Sequence, residues 1–540
     1  MSSISYTRFS GSSPRLAEHL VANGAAAYAL DCRFHHGTLQ SWREPKLVRN
    51  LAPNTTTVTR LGCCWVESDK CVDYAEGGPN CREVFRTGEN DYPEIGIVDY
   101  EQCTIEWHRL GVPCADGAPS LVLGDQSGPE KDFEGRTYVY QYVNALGHKG
   151  AASKPSEVVL AKDGGSVTVS GWSVPDPSWG VTHVRIYRTV SGYQAPNEPK
   201  NEFDTTYMFV AEVPVTTPAY VDSAYNEDLV DALVEDVVEP PVANLRGVTS
   251  ISGTNVLAGF SGNRLYFSAN NEWHNWPHYL DLDDNICAIA EVNGTIYAAT
   301  DGSPYAIQGQ TDCEGAGCRN VVKFPVRYPM VGCGNRRMAS THFGAVYPTH
   351  DGLVGLRGNE MPTLLTTGLY APDDWHKLIP QSITPVQHGG LLFVFGEGGS
   401  FAMKLSSGPE RGWDLDSHTN LSDKAIDAFE TRTGEFYIVK EGGLFQWDRS
   451  PVLRPHLWRS ALSYVNVMTV FGAGRIAMRG GPEEVKVLGD DRTVLSREIF
   501  RDKVFRLPKW GACGQVQVEL SGTAEVSLFA LATSMKELTA

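Results

Sequence analysis

Two histidines, His274 and His278, stand four apart in the stretch WHNWPH, a spacing that on a helix turns both imidazoles to one face, where they could share a metal ion. Pro277 and the two tryptophans Trp273 and Trp276 argue instead for a packed loop. His35 and His36 adjoin a turn glycine and are expected in solvent. Asp301, His350 and Asp351 fall at turns, where Asp is favoured for backbone reasons alone. No G-x-S-x-G, H-E-x-x-H or phosphate-cradling G-x4-G-K-[ST] pattern is present. A carboxylate pair for glycoside hydrolysis cannot be assigned, because the separation that matters is spatial. We therefore assign no catalytic residue, no cofactor-binding residue and no metal ligand, and expect a protein that is not an enzyme.

The 12 cysteines are the other reactive inventory. Seven precede residue 115, among them Cys63, Cys64, Cys71 and Cys81, and a trio follows at Cys313, Cys318 and Cys333. Zinc sites show paired C-x2-4-C knuckles, and here the nearest approach, Cys313-x4-Cys318, has no second knuckle after it. Ordinary reduced cysteines are the expectation, with disulfides formed after release from a cell as the alternative.

Whatever these side chains do, strands and turns must position them. YAATDGSPYAIQG, from Tyr297, alternates apolar residues on either side of Asp301-Gly302, a strong local hairpin signal. The pattern recurs upstream at Gly262-Asn263, and downstream at Asp351-Gly352, Gly398-Gly399 and Gly442-Gly443. Successive turns are spaced by about 39, 50, 47 and 44 residues, the period of a β-propeller blade. One hairpin cannot bury an apolar face alone, but sheets set radially bury their faces against one another. None of these turns carries the S-x-D-x-G-x-x-W box of propeller hydrolases. Weaker copies are RIAMRGGPEEVKVLG, from Arg475, and RFHHGTLQSW, from Arg33; QVQVEL and AEVSLFALA, from Gln515 and Ala524, could close the wheel with strands from near residue 1.

Between about residues 131 and 228 the rhythm changes to successive sandwich-like strands, in which Trp172 and Tyr187 read as core aromatics. The expected fold is all-β: a propeller with an inserted immunoglobulin or fibronectin type III-like β-sandwich. Residues 1–130 hold an N-terminal segment and first propeller strands, 131–228 the inserted domain, and 229–540 the remaining blades and closing strands. An acidic connector ending at Pro240-Pro241 marks re-entry into the wheel, and PRLAEHLVANGAAAYALDC is expected to include a short helix weakened by Gly24. Six or seven blades fit the period.

With 54 Gly and 31 Pro among 540 residues, the composition favours many short strands. No apolar run reaches the roughly 18 residues of a membrane span, and no signal pattern opens the chain, so folding in a cytoplasm is expected. The net charge of −18 argues against binding nucleic acid through a phosphate-neutralising surface, but suits a conduit that should repel it.

Three blocks together resemble the tail-nozzle or hub (tail tubular) proteins of short-tailed bacteriophages. In FSGSSPRLAEHLVANGAAAYALDCRFHHGTLQSWREPKLV the matching positions are Gly11, Pro14, Leu20, Ala27, Cys32, Gly37, Leu39 and Pro45. The central block runs through RLYFSANNEWHNWP, ICAIAEVNGTIYAATDGSPYAIQG, AVYPTHDGLVGL and TTGLYAPDDWHKLIPQSI, and the last is VFRLPKWGACGQVQVELSGTAEVSLFALATSMKEL. The resemblance implies a structural virion protein. It forms a homo-oligomeric ring, a hexamer, at the distal end of the tail, and gates and conducts DNA during ejection. Implied partners are further copies of itself, a tail adaptor, and a tail fibre, spike, needle or plug, with DNA only in transit and no membrane span. The place is the virion tail, after assembly in the host cytoplasm. Two other readings stand beside it. One is a propeller adhesin or lectin for host-surface carbohydrate, with Trp273 and Trp276 as stacking platforms. The other is a polysaccharide hydrolase.

Overall fold

The computed structural model describes residues 3–77, 82–126, 133–190, 206–233, 238–309, 319–332, 334–408, 412–440 and 442–539. These residues are nearly all β, with α-helix confined to Pro372–Lys377 and Lys536–Thr539 among them. The strands sort into a wheel, a slab-like platform and a side unit.

The five turns singled out above hold one equivalent place, linking the second and third strands of five successive antiparallel sheets. Where the turn has two residues, a left-handed conformation is required, and Gly262 and Gly442 supply it at φ +60° and +75°. Five blades are separate sheets of four strands, and the four strands of blade 6 continue through Leu30 and Asn420 into the platform's sheet. Blade 2 is Asp73–Gly77, Glu83–Thr87, Glu94–Asp99 and Thr104–Arg109; blade 3 is Arg246–Ser250, Leu257–Ser261, Arg264–Phe267 and His278–Asp281. Blade 4 is Ile286–Val292, Thr295–Thr300, Tyr305–Gly309 and Arg319–Lys323; blade 5 is Ala339–Thr341, Gly344–Pro348, Leu353–Leu356 and Thr363–Leu364. Blade 6 is Thr384–His388, Leu391–Phe395, Ser400–Gly408 and Gly412–Leu421. Blade 7 combines Asp427–Glu430, Phe436–Lys440 and Gly443–Gln446 with Lys46–Asn50 from far upstream. Blade 1 is a single hairpin, Thr57–Leu61 and Cys64–Ser68.

Core packing makes the ring. In Thr295–Thr300 successive side chains point to opposite faces, as a strand demands. Ile296 and Ala298 pack toward blade 3, Tyr297 and Ala299 toward blade 5. Every neighbouring pair shares such a core, including blades 7 and 1 through Val58, Phe429 and Tyr437, and blades 1 and 2 through Leu61, Cys64, Val84 and Val98. The wheel therefore closes on seven sectors among the described residues. Closure comes from Lys46–Asn50 on Gly443–Gln446, not from the C-terminal strands as expected. Those strands lie outside the wheel. Cys513–Ala532 pairs with Ala473–Gly489, His456–Ser460 and Ile4–Tyr6 to build the platform over a separate core that includes Trp458, Val518 and Phe529.

Two weaker copies are also reassigned. Arg475 begins no hairpin: its stretch is one long strand, with a register shift at Gly480 against its partner. The hairpin after Arg33 exists, Cys32–His35 with Thr38–Ser41, but it belongs to the platform. The expected N-terminal helix is reduced to one 3-10 turn, Glu18–Leu20. Beyond Gly24, at φ +85°, Ala25–Leu30 pairs with His456–Ser460, so tertiary pairing overrides the helix preference of alanine.

In the side unit two three-stranded sheets enclose one core. Ser120–Leu123, Val167–Ser170 and Ala219–Asp222 form one; Tyr138–Asn144, Val181–Thr189 and Tyr207–Pro214 form the other. Ser120–Leu123 precedes residue 131, so the unit starts earlier than expected, because Val122 and Leu123 pair with Thr168 and Val167. Tyr187 is 2% exposed, and Trp172 packs against the same core and donates its indole N–H to Thr217 O at 2.9 Å. Arg188 and Asp222, both fully buried, pair at 3.0 Å, and Tyr138 donates to the same carboxylate at 2.7 Å.

Candidate functional site

The axis of the wheel is where the innermost strands of all blades converge, and a single helical turn fills it. Asn335–Arg337 immediately precedes blade 5. The Asn335 N–H donates to Asp73 of blade 2 at 3.0 Å, and its amide donates to Gly247 O of blade 3 at 2.9 Å. Its amide oxygen accepts from Ile289 N–H of blade 4 at 2.8 Å. Arg336 donates to Val58 O of blade 1 at 3.1 Å and lies 3.8 Å from Asp427 of blade 7. Arg337 donates to Ser382 O and to Thr384 Oγ1 of blade 6. One turn thus pins the other six blades to the one it begins. We call it the axle.

Burial dominates the axle's electrostatics. Asp73 and Asp427 are almost fully buried, and desolvation pushes the Asp73 carboxyl up to about 6 although Arg336 pulls the other way. Asp427 is raised for the same reason. Above the axle opens a polar funnel. Its throat has a volume of ≈ 310 Å³ and includes Arg60, Glu76, Glu291, Glu430 and Arg432 in its wall. A wider depression of ≈ 920 Å³ between blades 2 and 3 shares Glu76 and Arg432 with it.

The residues picked from sequence scatter. His274 does not join His278; its ring stacks on His148 of the side unit, centroids 4.4 Å apart and planes 7° apart. Burial pulls both imidazoles down to about 4, and the charge of His274 adds to the effect on His148. Trp276 is 2% exposed and offers no face for a sugar, whereas Trp273 is half-buried against the same core, donates its N–H to Asn255 O and lines the wide depression between blades 2 and 3. The Asp301 carboxylate accepts from Asn285 N–H at 3.0 Å and from its amide at 2.8 Å, tying its turn to the start of the blade's first strand. Thr300 Oγ1 donates to Ser303 O, and Thr349 Oγ1 donates to Gly352 O at the Asp351 turn, so both turns share one brace. The His350 carbonyl lies 3.1 Å from His376 Nε2.

Cys63 and Cys103 form a disulfide, against the expectation of reduced cysteines. The turn of blade 1 and the last turn of blade 2 bring their Cα atoms to 5.6 Å. Cys81, Cys313, Cys318 and Cys333 lie outside the described residues.

Two constellations went unseen in the sequence. Ser41 Oγ lies 2.9 Å from His456 Nδ1, and His456 Nε2 lies 2.9 Å from Glu483. Ser12 Oγ lies 2.9 Å from His418 Nδ1, whose other nitrogen meets Tyr370 Oη at 2.9 Å. The order resembles nucleophile, base and orienting group. His456, Glu483 and His418 are fully buried, so no substrate reaches either imidazole, and burial pulls His418 down to about 3. Both sets clamp platform strands, to one another or to blade 6. Each serine lies more than 400 residues from its histidine, so no local spacing marks either set.

No family model matches the chain, and no curated protein matches it significantly. Similar solved structures include the WD40 repeats of RRP9, 10% identical, covering 77% of this chain and 99% of that one with a TM-score of 0.32. A streptogramin B lyase structure is 8% identical, covers 77% and 98%, and has a TM-score of 0.28. Hsv2 of Kluyvelomyces marxianus is 10% identical, covers 51% and 69%, and has a TM-score of 0.20. The wheel rests on its own strand order and shared cores, to which overlaps of this size add nothing.

Proposed function

We propose that this chain is a structural virion component, the nozzle or hub of a short phage tail. Copies pack side by side into a ring of about six. DNA passes through the space between copies, not along any wheel's axis. The observation that carries the reading is the axle: among the described residues Asn335–Arg337 ties the other six blades together at the centre of the wheel. The three sequence blocks that resemble tail-nozzle proteins supply the rest. The platform contributes a surface suited to assembly, with Leu20, Tyr464 and Met468 exposed and His19 against Tyr464. The side unit is read as an immunoglobulin or fibronectin type III-like domain that projects toward a neighbouring copy, an adaptor or a fibre.

On this reading acidic side chains outnumber basic ones on the wall of the ring's channel, in keeping with 64 acidic against 46 basic residues overall. Mass measurement of the purified protein, free and incorporated into tails, tests the assembly; a species that stays monomeric at every concentration and is absent from tails sinks it. A wall rich in Lys and Arg counts against the repelling conduit. The polar funnel favours one second reading, a propeller that binds a host-surface ligand at that mouth. Saturable glycan binding by the monomer, abolished by changes at Glu76 and Arg432, would support it.

A further inference from the structure

We propose that neighbouring copies join head to tail, the platform of one docking on the outer face of the next copy's side unit. This contact rests on the ring reading and is the step that builds the ring. The two surfaces sit on opposite flanks of the wheel. The side unit leaves the chain after Thr104–Arg109, the last strand of blade 2, and ends before Arg246–Ser250, the first of blade 3. The platform is joined to blade 6 through Leu30 and Asn420, and to blade 7 by the chain on either side of that blade. In a wheel of seven sectors these junctions lie three sectors apart one way and four the other, about half a turn. Two unlike surfaces on opposite flanks are what a run of head-to-tail contacts needs, and a fixed rotation at each contact closes the run into a ring.

Both surfaces are apolar. On the platform, Leu20, Tyr464, Met468 and Val470 are 63%, 59%, 62% and 47% exposed. The turn that carries Leu20 is held on strand Ser463–Thr469: Leu462 N–H donates to Glu18 O at 3.1 Å, and the His19 ring meets that of Tyr464 edge-on at 5.9 Å. Val465 packs toward the platform core, while Met468 and Val470 flank the buried Thr469 and so share the outward face. On the side unit, Val122 and Val221 lie in one row on either side of Thr168. The next row, Leu121, Val169 and Tyr220, packs in the unit's core, so the first row points outward. Val158 and Leu160 flank Val159 of the same core, and Lys162 N–H beside them donates to Gln126 Oε1 at 2.8 Å, which ties their strand to the segment after Val122. These four side chains are 62%, 56%, 66% and 60% exposed.

At such exposure four large side chains put roughly 400 Å² of apolar surface on each patch, close to the apolar share of one side of a standard interface, about 450 Å². The patches also suit each other in kind. Met468 is unbranched and adapts to what it meets, whereas the branched valines present a stiff face. Their rims differ in sign at one point: Asp490 lies with Met468 beside Gly514, and Lys162 shares a face of its strand with Leu160. A different protein would need only one of the two patches. Two of matching size on opposite flanks of one chain point to a second copy as the occupant of each.

Two full-length double variants test the contact: Tyr464→Glu with Met468→Glu on the platform, and Val122→Glu with Leu160→Glu on the side unit. All four positions are exposed, so both variants should keep the circular dichroism and thermal midpoint of unaltered protein. In sedimentation velocity each variant alone should need at least about thirtyfold more protein to assemble. Mixed one to one they should form a dimer and stop there, because each supplies the surface the other lacks and only one intact contact can form. Benzoylphenylalanine in place of Tyr464 gives a second readout that does not depend on those variants. On irradiation of tails, or of the free assembly, it should join to peptides that carry Val122, Leu160 or Val221 of another copy. Either variant assembling like unaltered protein, a mixture of folded variants that stays monomeric, or crosslinks that reach only platform residues or a different protein would overturn the head-to-tail contact and leave the ring reading standing. Unaltered protein that is monomeric at every concentration and absent from tails overturns both.

Discussion

Acid should open the joint between the side unit and the wheel. His148 and His274 stack across that joint, and Leu146 packs into the core shared by blades 2 and 3 beside Trp276. A histidine held near 4 in the folded state, against about 6.5 unfolded, binds fewer protons folded than unfolded. The joint therefore has its full stability above pH 6.5, loses it as pH falls, and reaches the limit of the loss below about 4. A shift of about 2.5 units corresponds to about 3 kcal/mol per ring as a ceiling. Both rings keep some solvent contact, so screening reduces this to about 1–2 kcal/mol each. Once one ring is charged, protonation of the other is opposed at 4.4 Å. Hydrogen exchange at residues 144–150 and 271–276, corrected for intrinsic rate, reads the change. Protection there should fall about tenfold or more between pH 7 and pH 4.5, while strands inside the blades keep theirs. Glu239 and Glu272 sit on segments packed around the joint, so a variant with both histidines changed to Gln is the control. Unchanged protection at pH 4.5, or the same fall in the double variant, would refute the reasoning.

Three further changes probe the wheel. Arg336→Met strips Asp73 and Asp427 of the cation nearest them and should cost about 3–5 kcal/mol in urea unfolding. A carboxyl raised by burial destabilises the fold above its folded pKa and ceases to do so as pH falls through it, so the loss should be larger at pH 8 than at pH 5; equal losses contradict the axle's electrostatics. Cys63→Ser opens a link spanning 40 residues, worth about 4 kcal/mol in the chain-entropy model, and should lower the thermal midpoint of the oxidised protein only. Gly247→Ala places a methyl at φ +65°, 2.3 Å from the Phe260 ring, and should cost well over the about 1 kcal/mol of Gly253→Ala, where φ is +80° and the space is open; similar midpoints would show that the axle end of blade 3 is loosely packed.

The parts legible in the sequence were those whose information is local. Two-residue turns such as Gly262-Asn263 demand particular residues whatever surrounds them, and the five recurring turns marked five of the seven blades. Closure was not local: nothing in KLVRN marks it as the partner of Gly443–Gln446, about 400 residues on. Gly480-Gly481 looked like another hairpin turn, yet pairing with Cys513–Ala532 draws it into one strand and leaves only a bulge. The axle hides in GNRRMAS, a basic run that reads as a solvated linker until six blades supply its partners. His274 was visible as a histidine, but its partner lies in another unit.

The most direct test of the account is imaging of tails containing this protein at a resolution that traces its strands. The account predicts a closed ring of wheels, each with Asn335–Arg337 filling its own axis, and DNA between the copies. A solitary wheel on the virion surface, or a DNA path running along a wheel axis with the axle displaced, would contradict it.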